Sequence, residues 1–165
     1  MEATPRWSLP LLAAGQAQKE MFHNEALTLI DALMHGRAES ADVNAPPEDP
    51  VPGTCWIVAA GAVGAWAGST GKIACWTEGG WRFVSPRAGL TFELADRGHG
   101  VRHDGDQWRD VAVRADGVYL DDEKVVGTRL PPIAGPSAGA TIDVEARATI
   151  AAILEAMREH GLIDS

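Results

Sequence analysis

The sequence predicts an α+β fold: a small Trp-rich antiparallel β-sheet domain flanked by an N-terminal and a C-terminal amphipathic helix, with Pro-rich extended arms. Three observations predict it. Helical periodicity is confined to the two ends, prolines gather beside both, and Trp56, Trp66, Trp76 and Trp81 fall among short apolar runs punctuated by glycine. In order, the expected parts are an N-terminal helix within residues 1–38, a connector over 39–53, a β domain over 54–127, an arm over 128–142 and a C-terminal helix within 143–165.

The first helix is read from residues 9–34, LPLLAAGQAQKEMFHNEALTLIDALM. Phe22, Ala26, Leu29, Ile30 and Leu33 recur at helical spacing, while Glu20, Asn24, Thr28, Asp31 and His35 fall on the other side. The apolar side is expected to dock on something apolar, and Gly36 to form a left-handed cap. Residues 39–53, ESADVNAPPEDPVPG, read as an extended connector, because proline fixes φ and removes a hydrogen-bond donor.

From Thr54 the runs TCWIVAA, GAWAG, KIACWT and WRFVS, separated by GAVG, GSTG and EGG, have the pattern of an antiparallel meander. Large rigid indoles help so small a sheet to bury enough area. They are read as core and subunit contact, or as sugar-stacking surfaces, for which Trp66, Trp76, Trp81 and Trp108 are the candidate glycan contacts. Residues 90–127 continue as hairpins, with turns at GHG, HDGDQW, ADG and LDDEK. Cys55 and Cys75 each precede a Trp and could face each other on neighbouring strands. A bridge there would add about 3 kcal/mol. In a reducing compartment two buried thiols are expected instead.

Residues 129–140 carry three prolines and form the second arm. Asp143 suits an N-cap, and Glu145 sits favourably in the first turn against the helix dipole. Ile150, Ile153, Leu154 and Met157 make a stripe, and Gly161 fits the end of a Schellman motif with Leu162 packing back on Met157. Two turns of stripe are too short to be stable alone. This helix must dock on the sheet, on the first helix or on its own copies.

With 165 residues and 45% apolar side chains, the chain has material for one compact domain with or without an appendage. A net charge of −9 would repel polyanions, which argues against nucleic acid. No long apolar leader is visible, and the uncharged run 53–71 is broken by Gly, Thr and Ser, so neither secretion nor membrane insertion is expected. Synthesis in the cytoplasm follows. His99, His103, Asp104 and Asp106 have metal-ligand chemistry, but Gly and Asp are also what β-turns use, and no HExxH or paired-Cys pattern supports them. Asp121, Asp122 and Glu123 read as a solvated turn, and His160 as a helix cap. Ser69, Ser85 and Ser137 lack a nucleophile elbow, and GAVGAWAG and GSTGK lack phosphate-loop spacing. The expectation is therefore no enzyme, with no catalytic, cofactor or metal residue. No internal repeat is evident.

Particular letters go beyond what helix and sheet physics demand. Leu9, Pro10, Ala14, Gly15, Gln16, Ala17, Gln18 and Lys19, then Asn24, Glu25, Ala26 and Leu27, then Asp31, Ala32 and Leu33 form one block. Gly80, Trp81, Pro86, Arg87 and Gly89 form a second. The third is VVG-x-R from Val125, Ile133 and Pro136, GATID-x-EAR, the stripe Ile150, Ile153 and Leu154, and the terminal REHGLI with Arg158, His160, Gly161 and Leu162. Across these blocks the chain resembles a family of phage and gene-transfer-agent virion proteins of poorly defined function, encoded beside tail-fibre or spike components. The resemblance covers most of the chain and leaves residues 90–114 unmatched.

The resemblance implies a structural component of a phage-like particle, the base or adaptor of a head spike or tail fibre that supports host attachment. Expected partners are the chain itself as a trimer or pentamer, a capsid or tail protein, and a distal spike or fibre protein. Candidate oligomer and particle contacts are Gln16, Gln18, Lys19, Phe22, Asn24, Leu29 and Leu33, with Ile150, Ile153, Leu154 and Met157. The alternative is a carbohydrate-binding module that grips host surface polysaccharide through exposed Trp. A glycan hydrolase would need two carboxylates facing each other across a groove, and no such pair stands out.

Overall fold

The computed structural model describes residues 2–13, 15, 19–135, 143–159 and 162–163. The architecture is α+β, and the chain divides into two compact units, Met1–Val111 and Ala112–Ser165. The span 54–127, expected as one β domain, is thus shared between them.

The first unit holds helix α1 (Lys19–Leu33) and strands β1 (Arg37–Ala38), β2 (Cys55–Ile57), β3 (Ile73–Thr77), β4 (Gly80–Val84), β5 (Thr91–Leu94), β6 (His99–His103) and β7 (Trp108–Asp110). Strands β2, β3 and β4 form the expected antiparallel meander. A second sheet has the order β1-β5-β6-β7, with β1 parallel to β5. The connector begins as the seam between these sheets. Just after β1, Glu39 N–H donates to Cys55 O at 2.8 Å, and Ser40 O accepts from Ile57 N–H at 3.0 Å.

Alternation decides what lies between the sheets. On β5, Phe92 and Leu94 are buried while Thr91 and Glu93 face out. Phe92, Leu94 and Val101 meet Cys55, Ile57, Ile73 and Cys75, and Ala32 and Ala38 complete this core. The meander's other face is covered by indoles. GAWAG, read as a strand, is instead a 3-10 turn (Gly64–Trp66) that carries Trp66 into a cluster with Trp56, Val58 and Ala74. Val63 and Gly64 sit in a short glycine-flanked segment, too short to pair as a strand but able to return Trp66 onto the sheet.

The expected thiols are corrected. Cys55 and Cys75 are directly opposite in the β2–β3 ladder, their Cα atoms 4.2 Å apart, and are joined as a disulfide. Compartment chemistry favoured thiols, but register has placed the two sulfurs together. Alkylation of the denatured, unreduced protein should label no cysteine, and both should react after reduction. Labelling of both thiols before reduction would refute the bridge.

Two turns also differ from expectation. The β5–β6 turn falls at residues 95–98, so His99 and Gly100 of the GHG triplet lie in β6. At the end of α1, His35 and not Gly36 takes the left-handed conformation, with φ of 48°. Gly36 is glycine for a different reason: a Cβ there would lie 2.5 Å from the Phe92 ring.

The second unit is a sheet of β8 (Val113–Arg114), β9 (Gly117–Leu120) and β10 (Glu123–Val126), followed by an arm and helix α2 (Val144–Glu159). Asp121 and Asp122, with φ of 49° and 64°, turn β9 into β10. Asp143 caps α2 as expected, its Oδ1 accepting from Ala146 N–H at 2.9 Å. At the other end Leu162 N–H donates to Met157 O at 2.9 Å, the long-range bond of a Schellman end. Gly161 and His160 lie outside the described residues, as do Pro136 and Ser137. Among the described residues no helix is long and apolar enough to cross a membrane.

Asp116 and Asp122, exposed acids of this unit, are held in ion pairs with Lys124 and Arg114. Lys124 and then the Tyr119 hydroxyl lower the pKa of Asp116 to about 2, and Asp116 in turn raises that of Lys124. The carboxylate's contribution is therefore complete above the ordinary aspartate value and fades as pH falls from there through about 2. The lysine's is complete below its ordinary value and is lost above its raised one. A carbon-13 NMR titration should place the Asp116 midpoint near 2, and a midpoint near 4 would exclude the pairing.

Candidate functional site

The polar side of α1 is explained by residues 2–13, which fold as a tight hook bridged between Ala3 and Pro10. Asp31 is its anchor. This carboxylate, 2% exposed, accepts from the Thr4 hydroxyl at 2.6 Å, from Arg6 N–H at 3.0 Å and from Trp7 N–H at 2.8 Å. Arg6 then closes the helix C-terminus. Its guanidinium donates to the carbonyls of Asp31, Ala32 and His35 at 2.8, 2.7 and 2.9 Å, which satisfies orphan acceptors and opposes the dipole. One turn from the start of α1, the Asn24 amide brackets Leu12, accepting from its N–H at 2.9 Å and donating to its carbonyl at 3.0 Å. Glu25 ties α1 to β4 by accepting from Arg82 Nε at 2.8 and 3.1 Å.

The helix is held to its own chain through its polar residues and through Ala32 and Leu33, while Phe22, Met21 and Ile30, at 82%, 67% and 49% exposed, face outward. Of the candidate contacts on this segment, Lys19 and Phe22 are exposed, and Leu29 and Leu33 are half-buried, Leu33 against the core. Asn24 is corrected: its amide is engaged by the hook. Gln16 and Gln18 lie outside the described residues. On α2, Ile150 and Ile153 are exposed, Met157 is half-buried and Leu154 is buried, which corrects Leu154 as a surface contact.

The indoles divide in the same way. Trp66 has no exposed surface, and its ring packs against Trp56 and edge-on against Trp81, so it offers no face to a sugar. Trp108 is half-buried, donates through Nε1 to Gly71 O at 2.9 Å, and meets Phe92 and His103 edge-on. Trp76 and Trp81 are half-buried on facing positions of β3 and β4, their centroids 5.0 Å apart.

Of the depressions in the first unit that carry ionisable groups, two lie at ion pairs. One, of 280 Å³, runs between the hook, α1 and the β3–β4 hairpin and includes Glu25, Glu78 and Arg82. The Glu25–Arg82 pair in it is a structural tie. The other, of 370 Å³, includes Arg97, His103, Asp106, Trp108 and Asp110. Arg97 spans Asp42 and Asp110 at 2.7 Å each, clamping the connector to β7. The loop at 104–107 is organised by Asp104, whose Oδ1 accepts from the N–H groups of Asp106 and Gln107. Those bonds, Gln107 first, and then Arg109 hold the Asp104 carboxyl well below the usual aspartate range. Among the described residues no three His, Cys, Asp or Glu are grouped as metal ligands.

A family model described as a protein of unknown function, DUF2793, matches residues 23–109, more than half of the chain. The chain belongs to this family. The DUF2793 match starts within the first turns of α1 and ends in β7, so it lies inside the first unit and takes in the helix from His23 onward, the disulfide and the Trp cluster. The hook and the second unit lie outside it. No curated protein matches the chain. The hook was not legible beforehand: Thr4 and Asp31 are 27 positions apart, and the one available signal was an unusually polar helix face.

Proposed function

We propose that this DUF2793 chain is a non-catalytic, assembly-forming component of a phage-like particle, the base or adaptor of a head spike or tail fibre that supports host attachment. One observation carries the reading: the second unit leaves its apolar side chains uncovered. Leu154 and Ile163 are its buried large apolar residues among those described. Val113, Leu120, Val125, Leu130, Val144 and Ile153 are each more than half exposed. A unit of this size with so little core is marginal by itself and is stabilised by whatever covers it. Neighbours in a particle supply such cover: copies of this chain, a capsid or tail protein, and a distal spike or fibre protein. The resemblance of both chain ends to virion proteins supports the same reading.

Made in the cytoplasm, the chain would then become part of the particle. Electron microscopy of particles with and without its gene tests this, with loss of spike or fibre density as the expected result. Intact particles lacking nothing would sink it. The second reading, direct grip on a host polysaccharide, rests on Trp76 and Trp81, whose half-buried rings keep some surface. A titration with host polysaccharide that left their fluorescence unchanged would remove it.

A further inference from the structure

We propose that the outward row of α1 is a contact between two copies of this chain, related by a two-fold axis that passes beside Ala26. The inference rests on the assembly reading above and names one partner for it. Phe22, Ala26, Ile30 and Met34 follow one another at intervals of four, and all are exposed. Met34 extends the row because its N–H still donates to Ile30 O at 2.8 Å. Trp7, 47% exposed, is fixed at the end of the row by its Nε1 donating to Met34 O at 3.2 Å.

Three features favour a second copy. The first is charge. The chain carries −9, so most approaches between copies oppose carboxylates. The exposed residues of α1 are Lys19, Met21, Phe22, His23, Ala26 and Ile30, and none is acidic. The second is shape. Rows at intervals of four on two helices interdigitate at about 50°. A small residue is needed where the axes cross. Ala26 is that residue, with a large side chain four positions to either side, so the two-fold seats each Phe22 near the other copy's Ile30 end. The third is area. With about 200 Å² for a large side chain, the exposed parts of Trp7, Met21, Phe22, Ile30 and Met34 come to roughly 500 Å². Two copies would hide up to about 1,000 Å², the lower end of what a biological interface needs. A two-fold contact gives even-numbered assemblies, so this proposal departs from the expected trimer or pentamer.

The test uses the full chain. Light scattering across a concentration series should show a dimer or a larger even-numbered oligomer. Phe22→Asp and Ile30→Asp should each raise the dissociation constant about 100-fold or more, with unchanged circular dichroism and with melting lowered only by the loss of association, because both side chains are exposed. Val63→Asp, at an exposed site off this row, should change nothing. Ala26→Cys should cross-link copies under mild oxidation, since the native cysteines already pair with each other. A wild-type monomer throughout, oligomers that survive Phe22→Asp, or no cross-link from Ala26→Cys in an oligomer would each overturn the two-fold contact. Particle incorporation separates the two ideas. If monomeric Phe22→Asp still enters particles, the row is not needed for assembly into them. If a dimeric wild type never enters them, the particle reading fails and the contact stands.

Discussion

Trp66→Ala is expected to destabilise the first unit by about 3–5 kcal/mol, the largest effect of any single truncation in the chain. The indole has no exposed surface and its ring centre lies 5.2 Å from that of Trp81 and 6.0 Å from that of Trp56. Its removal leaves a void that the β2–β3–β4 meander beneath it resists filling, because that backbone is fixed by ladder bonds. Trp66→Phe should cost less, about 1–3 kcal/mol, because the void it leaves is smaller. It keeps most of the packing, and it deletes a buried Nε1–H that has no partner among the described residues. Urea unfolding of the two variants measures both values. Equal losses would show that ring volume is not what Trp66 contributes.

Asp31→Ala should cost about 3 kcal/mol or more and should free the hook while leaving the β-sheets folded. Its carboxylate satisfies two backbone N–H groups and one hydroxyl, and all three would be left without their acceptor in a poorly hydrated place. Arg6 would also lose the alignment that lets it close the helix C-terminus. Limited proteolysis should then cut within residues 2–13 well before the rest of the chain. Unchanged cleavage together with unchanged stability would mean that the hook is held by other contacts. Thr4→Val, which removes one donor to the same carboxylate, should show a smaller version of the same behaviour.

Several parts of this protein were legible in its letters. Alternating runs around Cys55–Ile57, Ile73–Thr77 and Gly80–Val84 announced the meander, and the turn residues near 104–107, 115–116 and 121–122 marked the hairpins. Asp143 and Leu162 marked the ends of α2. These features depend on neighbours within a few positions, where propensity and periodicity operate. GAWAG failed as a strand because apolar letters do not distinguish a paired segment from a turn that tucks one indole inward.

By itself, then, the sequence determined two amphipathic helices, a tryptophan-rich meander, the hairpin turns and an acidic chain. Tertiary structure alone decided which side of α1 turns inward, which tryptophan is shut away, and that Cys55 meets Cys75. The reason is physical. Periodicity divides a helix into two faces but cannot say which one its own chain covers. That choice was made by Asp31 and Asn24, whose partners lie in a segment 12 to 27 residues away, and it left the oily row facing out.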